Sequence, residues 1–423
     1  MILDILPGSE NYTAQIVKIN NLHPIPDADV IQRTVINGND IVIPTTTKLG
    51  DEMIYFVAGT KLNEDYCKNN NLLDSASLNI DTSKKGFISH KQFRVKAIKL
   101  KGVISNGMLM PLQSVDSINL NSLSLKIGDE FNSIAGIVLC EKYIVPCRNG
   151  NPGGKDPNRD RTTNNLKDLL VRDQFRLHKD TAHFAKNLGK FNPTDDLVIT
   201  RKYHGTSGIS SHVLIQRKLS FIERLLVKFG VSIPKTQYGY IYSSGKPKSG
   251  LPKGVFNEDY ASYLNPNKSF YKEDYWLTAF NKLKPSLEKG ITLYYEVVGK
   301  GIQGDNYTYG FDHEIFVYRI TQTNVDGITY EFSWQQVKDY CDKYGIKYVD
   351  ELQKNVFHNF TTTPLQWLSD SYLNKSYADC KVDEGICIRN ERTNEIFKLK
   401  SPNFILAENN MQEKDISNIE DEQ

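Results

Sequence analysis

The 423-residue sequence predicts an α+β protein, with a small N-terminal β-barrel preceding a larger domain of mixed strands and helices. Three observations carry that prediction. Between about residues 12 and 145, short strand-like runs are punctuated by turn residues. Residues 148–165 are polar, with Gly and Pro throughout, and read as a linker. From Leu197 to about residue 406 the pattern mixes strand and helix. Domains are therefore expected at 1–147 and 166–423, joined through 148–165.

In the first domain, Thr13–Ile19 and Asp40–Ile43 alternate apolar with polar, and Met53–Val57 is a continuous apolar run. Gln92–Ile98 alternates again, and Gly107–Leu112 ends a further strand. Turn residues separate them at His23–Asp27, Asn37–Asp40 and Lys48–Asp51. Along Gln92–Ile98, period two places Phe93, Val95 and Ala97 on one face and Arg94 and Lys96 on the other. Lys84, Lys85, Lys91, Lys99 and Lys101 crowd the same neighbourhood. Two readings of that cationic face stand: a track for a phosphate backbone and an ordinary solvated exterior.

Helical periodicity follows in Leu166–Val171 and Thr181–Leu188. Lys218–Phe229 is also helical in pattern. Leu219, Ile222, Leu225, Leu226 and Phe229 make one stripe, flanked by Arg217, Lys218, Arg224 and Lys228. Such a stripe is expected to pack on its own domain, rather than meet nucleic acid or a membrane.

The formal net charge is only +2, so any nucleic-acid surface must be local. No apolar run reaches the length of about 18 residues that a membrane span needs. Met1–Pro7 lacks a basic start and a long apolar stretch, so no secretory signal is expected. The 6 cysteines form no Cys-x-x-Cys, and Cys140 and Cys147 have no histidines at zinc-finger spacing. Free thiols and a cytoplasmic location are expected.

The chemistry-bearing segments begin with Ile199-Thr200-Arg201-Lys202-Tyr203-His204-Gly205-Thr206-Ser207, which reads as strand, lysine, small-residue turn and strand. An amine at the mouth of such a turn is placed to attack phosphorus. Ile241-Tyr242-Ser243-Ser244-Gly245-Lys246 puts hydroxyls and a cation after a strand. Leu293–Gly299 buries one carboxylate, Glu296, in an apolar strand, where it needs a partner. Phe316, Tyr318 and Ile320 share a face of Glu314–Ile320. Glu384 opens the strand Gly385–Arg389, and Lys398 and Lys400 share a face of Phe397–Lys400. Taken singly, each has a plain explanation: an internal ion pair for Glu296, a core ring for Phe316, a turn cap for Glu384, a solvated face for the lysines.

As an ordered set these segments resemble the covalent nucleotidyltransferases, the nucleic-acid ligases and messenger-RNA capping enzymes. Lys202-Tyr203-His204-Gly205 is similar to their motif I, and Tyr295-Glu296-Val297-Val298-Gly299 to motif III. Glu384-Gly385-Ile386-Cys387-Ile388-Arg389 is similar to motif IV, and Lys398-Leu399-Lys400 to motif V. The resemblance covers about residues 174 to 415. His204 stands where most DNA ligases carry Asp, as in the RNA ligase variant. Too few residues follow Lys400 for a barrel, so the barrel is expected at the N-terminus. That order, with Gly102–Leu109, Gln174–Thr181 and Lys400-Ser401-Pro402-Asn403-Phe404, resembles RNA ligase family five, the nick-sealing enzymes with an N-terminal OB domain.

The resemblance implies an OB-type barrel followed by a nucleotidyltransferase domain with antiparallel sheets. It implies ATP as cofactor, with Mg²⁺ or Mn²⁺ at Glu384. Lys202 would form lysyl-AMP, with Lys398 and Lys400 neutralising the α-phosphate. Thr200, His204, Gly205, Ser207, Lys246, Glu296 and Phe316 would hold the nucleotide. Among them, Glu296 would accept a ribose hydroxyl and Phe316 would stack on adenine. Relatives carry Glu before the nucleophile and Arg after the paired serines; this chain has Arg201 and, after Gly245, Lys246. Thr200 then becomes the expected reader of the purine edge. The expected partner is a nicked, RNA-containing duplex, with no membrane and a monomeric chain. A DNA ligase or capping enzyme is the alternative, and a non-catalytic OB protein is a further one.

Overall fold

The computed structural model describes residues 3–118, 125–144, 166–178, 180–247, 250–257, 262–264, 271, 273–304, 307–356, 363–375, 377, 379–380 and 382–410. The expected linker at 148–165, and Cys147, lie outside the described residues.

The N-terminal barrel is built around the strand Glu52–Val57, flanked by Ala14–Lys18 and Gly107–Pro111, all antiparallel. The unbroken apolar run there is explained by burial on both faces. Ile54 and Phe56 join one cluster with Ala14, Ile16, Met108 and Phe131. Tyr55 and Val57 join another with Ile19, Ile36, Ile41 and Ile43. The hairpin Ile31–Ile36 and Asn39–Pro44 turns through Asn37 and Gly38, both at positive φ, as an Asn-Gly pair favours.

Gln92–Ala97 departs from the expected strand. Phe93 adopts φ 53°, which breaks the extended alternation, and regular pairing begins only at Ile98–Leu100. Val95 and Ala97 are buried as expected, but so is Arg94. Its guanidinium lies 4.8 Å from the Tyr143 ring centre and bonds to Asn409 of the second domain. The cationic face is therefore interrupted, although Lys84, Lys85, Lys91, Lys99 and Lys101 are exposed.

The second domain holds two sheets. Among the described residues, seven antiparallel strands run in the order Ser262–Leu264, Gly254–Asn257, Thr236–Ser244, Thr206–Gln216, Ile291–Gly299, His313–Thr323 and Thr329–Glu331. Five more run Ala182–His183, Glu395–Lys400, Gly385–Asn390, Asp196–Arg201 and Glu351–Val356, antiparallel except at the Ala182–His183 edge. The segment expected as the helix Thr181–Leu188 is instead that edge strand followed by the 3-10 turn Phe184–Lys190. In the five-stranded sheet Leu197, Ile199, Ile386, Ile388 and Phe397 face one apolar cluster. The alternate residues face the other way, toward the seven-stranded sheet. The chain crosses between the sheets through Lys202–Gly205.

Helix Tyr275–Leu283 buries Trp276, Ala279, Phe280 and Leu283. Helix Trp334–Tyr344 starts at a capping box of Ser333 and Gln336 and stops at Gly345, φ 66°. Helix Phe221–Lys228 buries nothing, so its apolar stripe does not pack on the parent domain as expected. Among the described residues no helix is long and apolar enough to cross a membrane.

The barrel docks on the five-stranded sheet's edge. Asn11 donates to Thr181 O at 3.2 Å and accepts from His183 N at 3.1 Å. Lys186 donates to Thr13 Oγ1 at 2.7 Å. The edge strand pairs with Phe397 and Lys398, so docking brings the barrel beside the motif V lysines.

Candidate active site

Lys202 is placed by backbone bonds on both sides. Arg201 N donates to Asp350 O and Lys202 N to Gly385 O, each at 2.9 Å. The crossover that follows is tight. A Cβ at Gly205 would lie 2.3 Å from Val297 O, so only glycine fits. Gly385 is equally constrained, at φ 132° with Leu399 O 2.2 Å from a built Cβ.

Around this crossover the structure gathers the charged residues expected from the sequence. Lys202 Nζ lies 2.9 Å from Glu384 Oε2, and Lys400 Nζ 3.2 Å from Glu384 Oε1. His204 Nδ1 is 3.7 Å from the same carboxylate, and its ring is wedged edge-on against Tyr307 and Phe404. Glu296 Oε1 accepts from Gly205 N at 3.1 Å. Ser207, directly opposite Glu296 in register, shares a 2.8 Å hydrogen bond with Tyr318 Oη. Thr200 is buried in the strand Asp196–Arg201, beside Cys387.

Lys398 points the same way as Lys400 but binds a different carboxylate. Asp180 receives Lys398 at 3.0 Å, Lys246 at 2.9 Å and Lys142 of the barrel at 3.0 Å. Phe316 is 5% exposed, and Tyr203 stacks on one of its faces with centroids 4.5 Å apart and planes at 5°. Tyr318, two residues along the same face, is less buried than Phe316.

Burial and charge set the protonation states. Burial pushes the Lys202 amine down, but Glu384, helped by Glu296, outweighs it and leaves the amine above its ordinary value. Burial alone would raise Glu384; Lys202 and Lys400 instead hold it well below the usual carboxylate range. Burial pushes Glu296 up to about 8, with Lys202 opposing. Lys398 is pushed down to about 8 by burial, against Asp180. Lys400 is lowered by burial but raised further by Glu408 and Glu384, and stands above its ordinary value.

Glu384 fits a hard cation. It is 3% exposed, and its carboxylate is kept ionised between the Lys202 and Lys400 amines. Among the described residues no cluster of three or more His, Cys, Asp or Glu side chains is gathered for a metal. A cation here would rest on Glu384, water and phosphate oxygens, as Mg²⁺ does.

Comparison with known proteins agrees with this fold. The family model of an OB-fold domain matches residues 13–112, and that of RNA ligase matches residues 195–400. Residues 195–400 of the second domain are thus similar to the RNA ligase family. No curated protein matches the chain. Solved structures of Naegleria gruberi RNA ligase share the fold at low identity. A lysine-to-alanine variant with ATP and Mn is 15% identical, covering 93% of this chain and 98% of that one, at a TM-score of 0.58. A lysine-to-methionine variant with AMP and Mn is 15% identical, covering 93% and 97%, at 0.57. The same ligase with PPi is 16% identical, covering 93% and 97%, at 0.58.

Within the second domain, sequence reasoning missed Asp180 as the anchor of three lysines. It also missed the surroundings of Arg201. That guanidinium binds Asp383 at 3.0 Å and Asp379 at 2.9 Å, and sits 3.9 Å from the Tyr377 ring centre. Arg201 thus faces the protein interior, beside the carboxylate that precedes Glu384. Its partners lie 178 and 182 residues away, so no local pattern signals them.

Proposed function

We propose that the protein is an ATP-dependent RNA ligase that seals 3′-hydroxyl/5′-phosphate breaks, chiefly nicks in duplexes, through a lysyl-AMP intermediate. The observation that carries this reading is the Lys202–Glu384–Lys400 cluster at the crossing of two sheets. The ATP, AMP and pyrophosphate held by the Naegleria structures support it.

In the first step Lys202 Nζ attacks the α-phosphorus of ATP. A P–N bond forms and the bond to pyrophosphate breaks. The amine must first lose a proton, which Glu384 holds in place. Glu384 would hold a divalent cation, which would supply positive charge to the phosphate oxygens. Lys400 and Lys398 meet the charge that builds on the α-phosphate. Glu296 and Lys246 face the ribose, and Thr200 and nearby backbone groups the purine edge, with His204 beside Glu384. Adenine lies against the rings of the strand His313–Thr323. Phe316 has only one face left for this, so Tyr318 shares the role.

In the second step a 5′-phosphate oxygen attacks the same phosphorus and the P–N bond breaks. In the third, a 3′-hydroxyl attacks the adenylylated 5′-phosphate and AMP leaves. The barrel holds the duplex beside the break. Nicked duplexes with RNA or with DNA on the 3′-hydroxyl side test this assignment. Faster sealing with a 3′-RNA strand is expected; sealing only with 3′-DNA would make the protein a DNA ligase.

A further inference from the structure

The hairpin of Thr206–Gln216 and Thr236–Ser244 starts at the catalytic crossover and ends where Gln216 pairs with Thr236. An extended strand of that length spans roughly 35 Å, so its far end is remote from Lys202. There the chain forms the helix Phe221–Lys228, built by local bonds. The Ser220 hydroxyl accepts from Glu223 N, the Glu223 carboxylate accepts from Ser220 N, and Arg217 pairs with Glu223.

Phe221, Ile222, Leu225 and Leu226 fall on one face, and Phe229 continues it. All are open to water, Phe221 at 77% and Phe229 at 78% exposure, and Val231 beyond them is exposed too. Arg224 and Lys228 border the face, and Lys235 flanks the helix, all exposed. Glu223, the one carboxylate in residues 217–235, is already taken by Arg217.

The occupant must reward both features. A nucleic-acid backbone would satisfy the cations and leave the aromatic and aliphatic side chains in water. No polar side chain interrupts the apolar face to fix the register of a protein partner. Lipid chains under anionic headgroups satisfy both: the rings and aliphatic groups enter the acyl boundary while Arg and Lys remain at the phosphates. We infer that the helix Phe221–Lys228 docks the protein on an anionic lipid surface, leaving the distant catalytic crossover open. This inference is independent of the ligase reading.

The test is flotation of the full chain with vesicles of phosphatidylcholine alone or mixed with phosphatidylserine. Binding is expected to the mixed vesicles and to weaken with salt. Phe221→Ser with Phe229→Ser should abolish it, and Arg224→Glu with Lys228→Glu should weaken it. Both pairs should leave formation of the AMP adduct unchanged. Failure to float with the mixed vesicles, or undiminished flotation of the serine pair, overturns the proposal. So does light scattering that shows a dimer which the serine pair dissociates, or loss of nicked-duplex binding by that pair.

Discussion

At Lys202, burial and a carboxylate oppose each other, and the carboxylate wins. The resting amine is therefore a cation held for the reaction, and its activation depends on what happens to Glu384. Glu384→Ala should lose adenylylation in a way that excess Mn²⁺ partly restores; full activity at low metal would remove its role. Lys400→Ala should slow adenylylation by about 10²–10³-fold, the usual cost of removing a preorganised charge-stabilising donor. Phe316→Leu and Tyr318→Leu should each raise the ATP concentration needed, with Tyr318→Leu the larger effect; the reverse order would return the stacking role to Phe316. Glu296 gives a stability test. Its folded value of about 8 stands above the unfolded one, so between those values the native state binds a proton that the unfolded state does not. Wild-type stability is thus eroded as pH rises toward about 8. Glu296→Gln lacks this erosion. Its advantage in melting temperature should be small at low pH, grow toward that value and then level off. A pH-independent difference would contradict the protonated carboxyl.

At the scale of elements, the strand Asp196–Arg201 and the turn before Gly385–Asn390 are locked by the buried Arg201–Asp383 pair, with side chains 3% and 1% exposed. Removing one partner strands a charge, so Arg201→Met should cost about 3–5 kcal/mol in denaturant unfolding. A loss below about 1 kcal/mol, the level of a surface pair, would contradict that lock. The sequence made some of these elements legible. Lys398 and Lys400 were placed on one face by period two, and Phe397 and Leu399 do fill the opposite cluster. The same reasoning failed at Gln92–Ala97, because alternation does not reveal the positive φ of Phe93 or the inward turn of Arg94. For Phe221–Lys228 the periodicity identified which face is apolar, but not that the hairpin would leave it in water. Asp180 was invisible for another reason: its contacts reach Lys142 in one domain and Lys398 near the end of the other.

For the whole molecule, the barrel's contribution separates from that of the second domain. Lys84, Lys85, Lys99 and Lys101 are exposed on the barrel, outside the nucleotide cluster. Changing them to Glu should weaken nicked-duplex binding and lower its salt slope by about one unit for each phosphate no longer neutralised. Adenylylation should be unaffected, and an unchanged salt slope would place the duplex elsewhere. The order of motifs and the N-terminal barrel were readable along the chain, because each motif is a local run. The docking of the two domains was not, since it rests on single polar contacts such as Asn11 to Thr181 and Arg94 to Asn409. The central claim meets its most direct test in peptide mass spectrometry after incubation with ATP and Mn²⁺. A single AMP on the peptide containing Lys202, absent from Lys202→Ala, is the result expected; an adduct on another residue, or one that persists in Lys202→Ala, would contradict it.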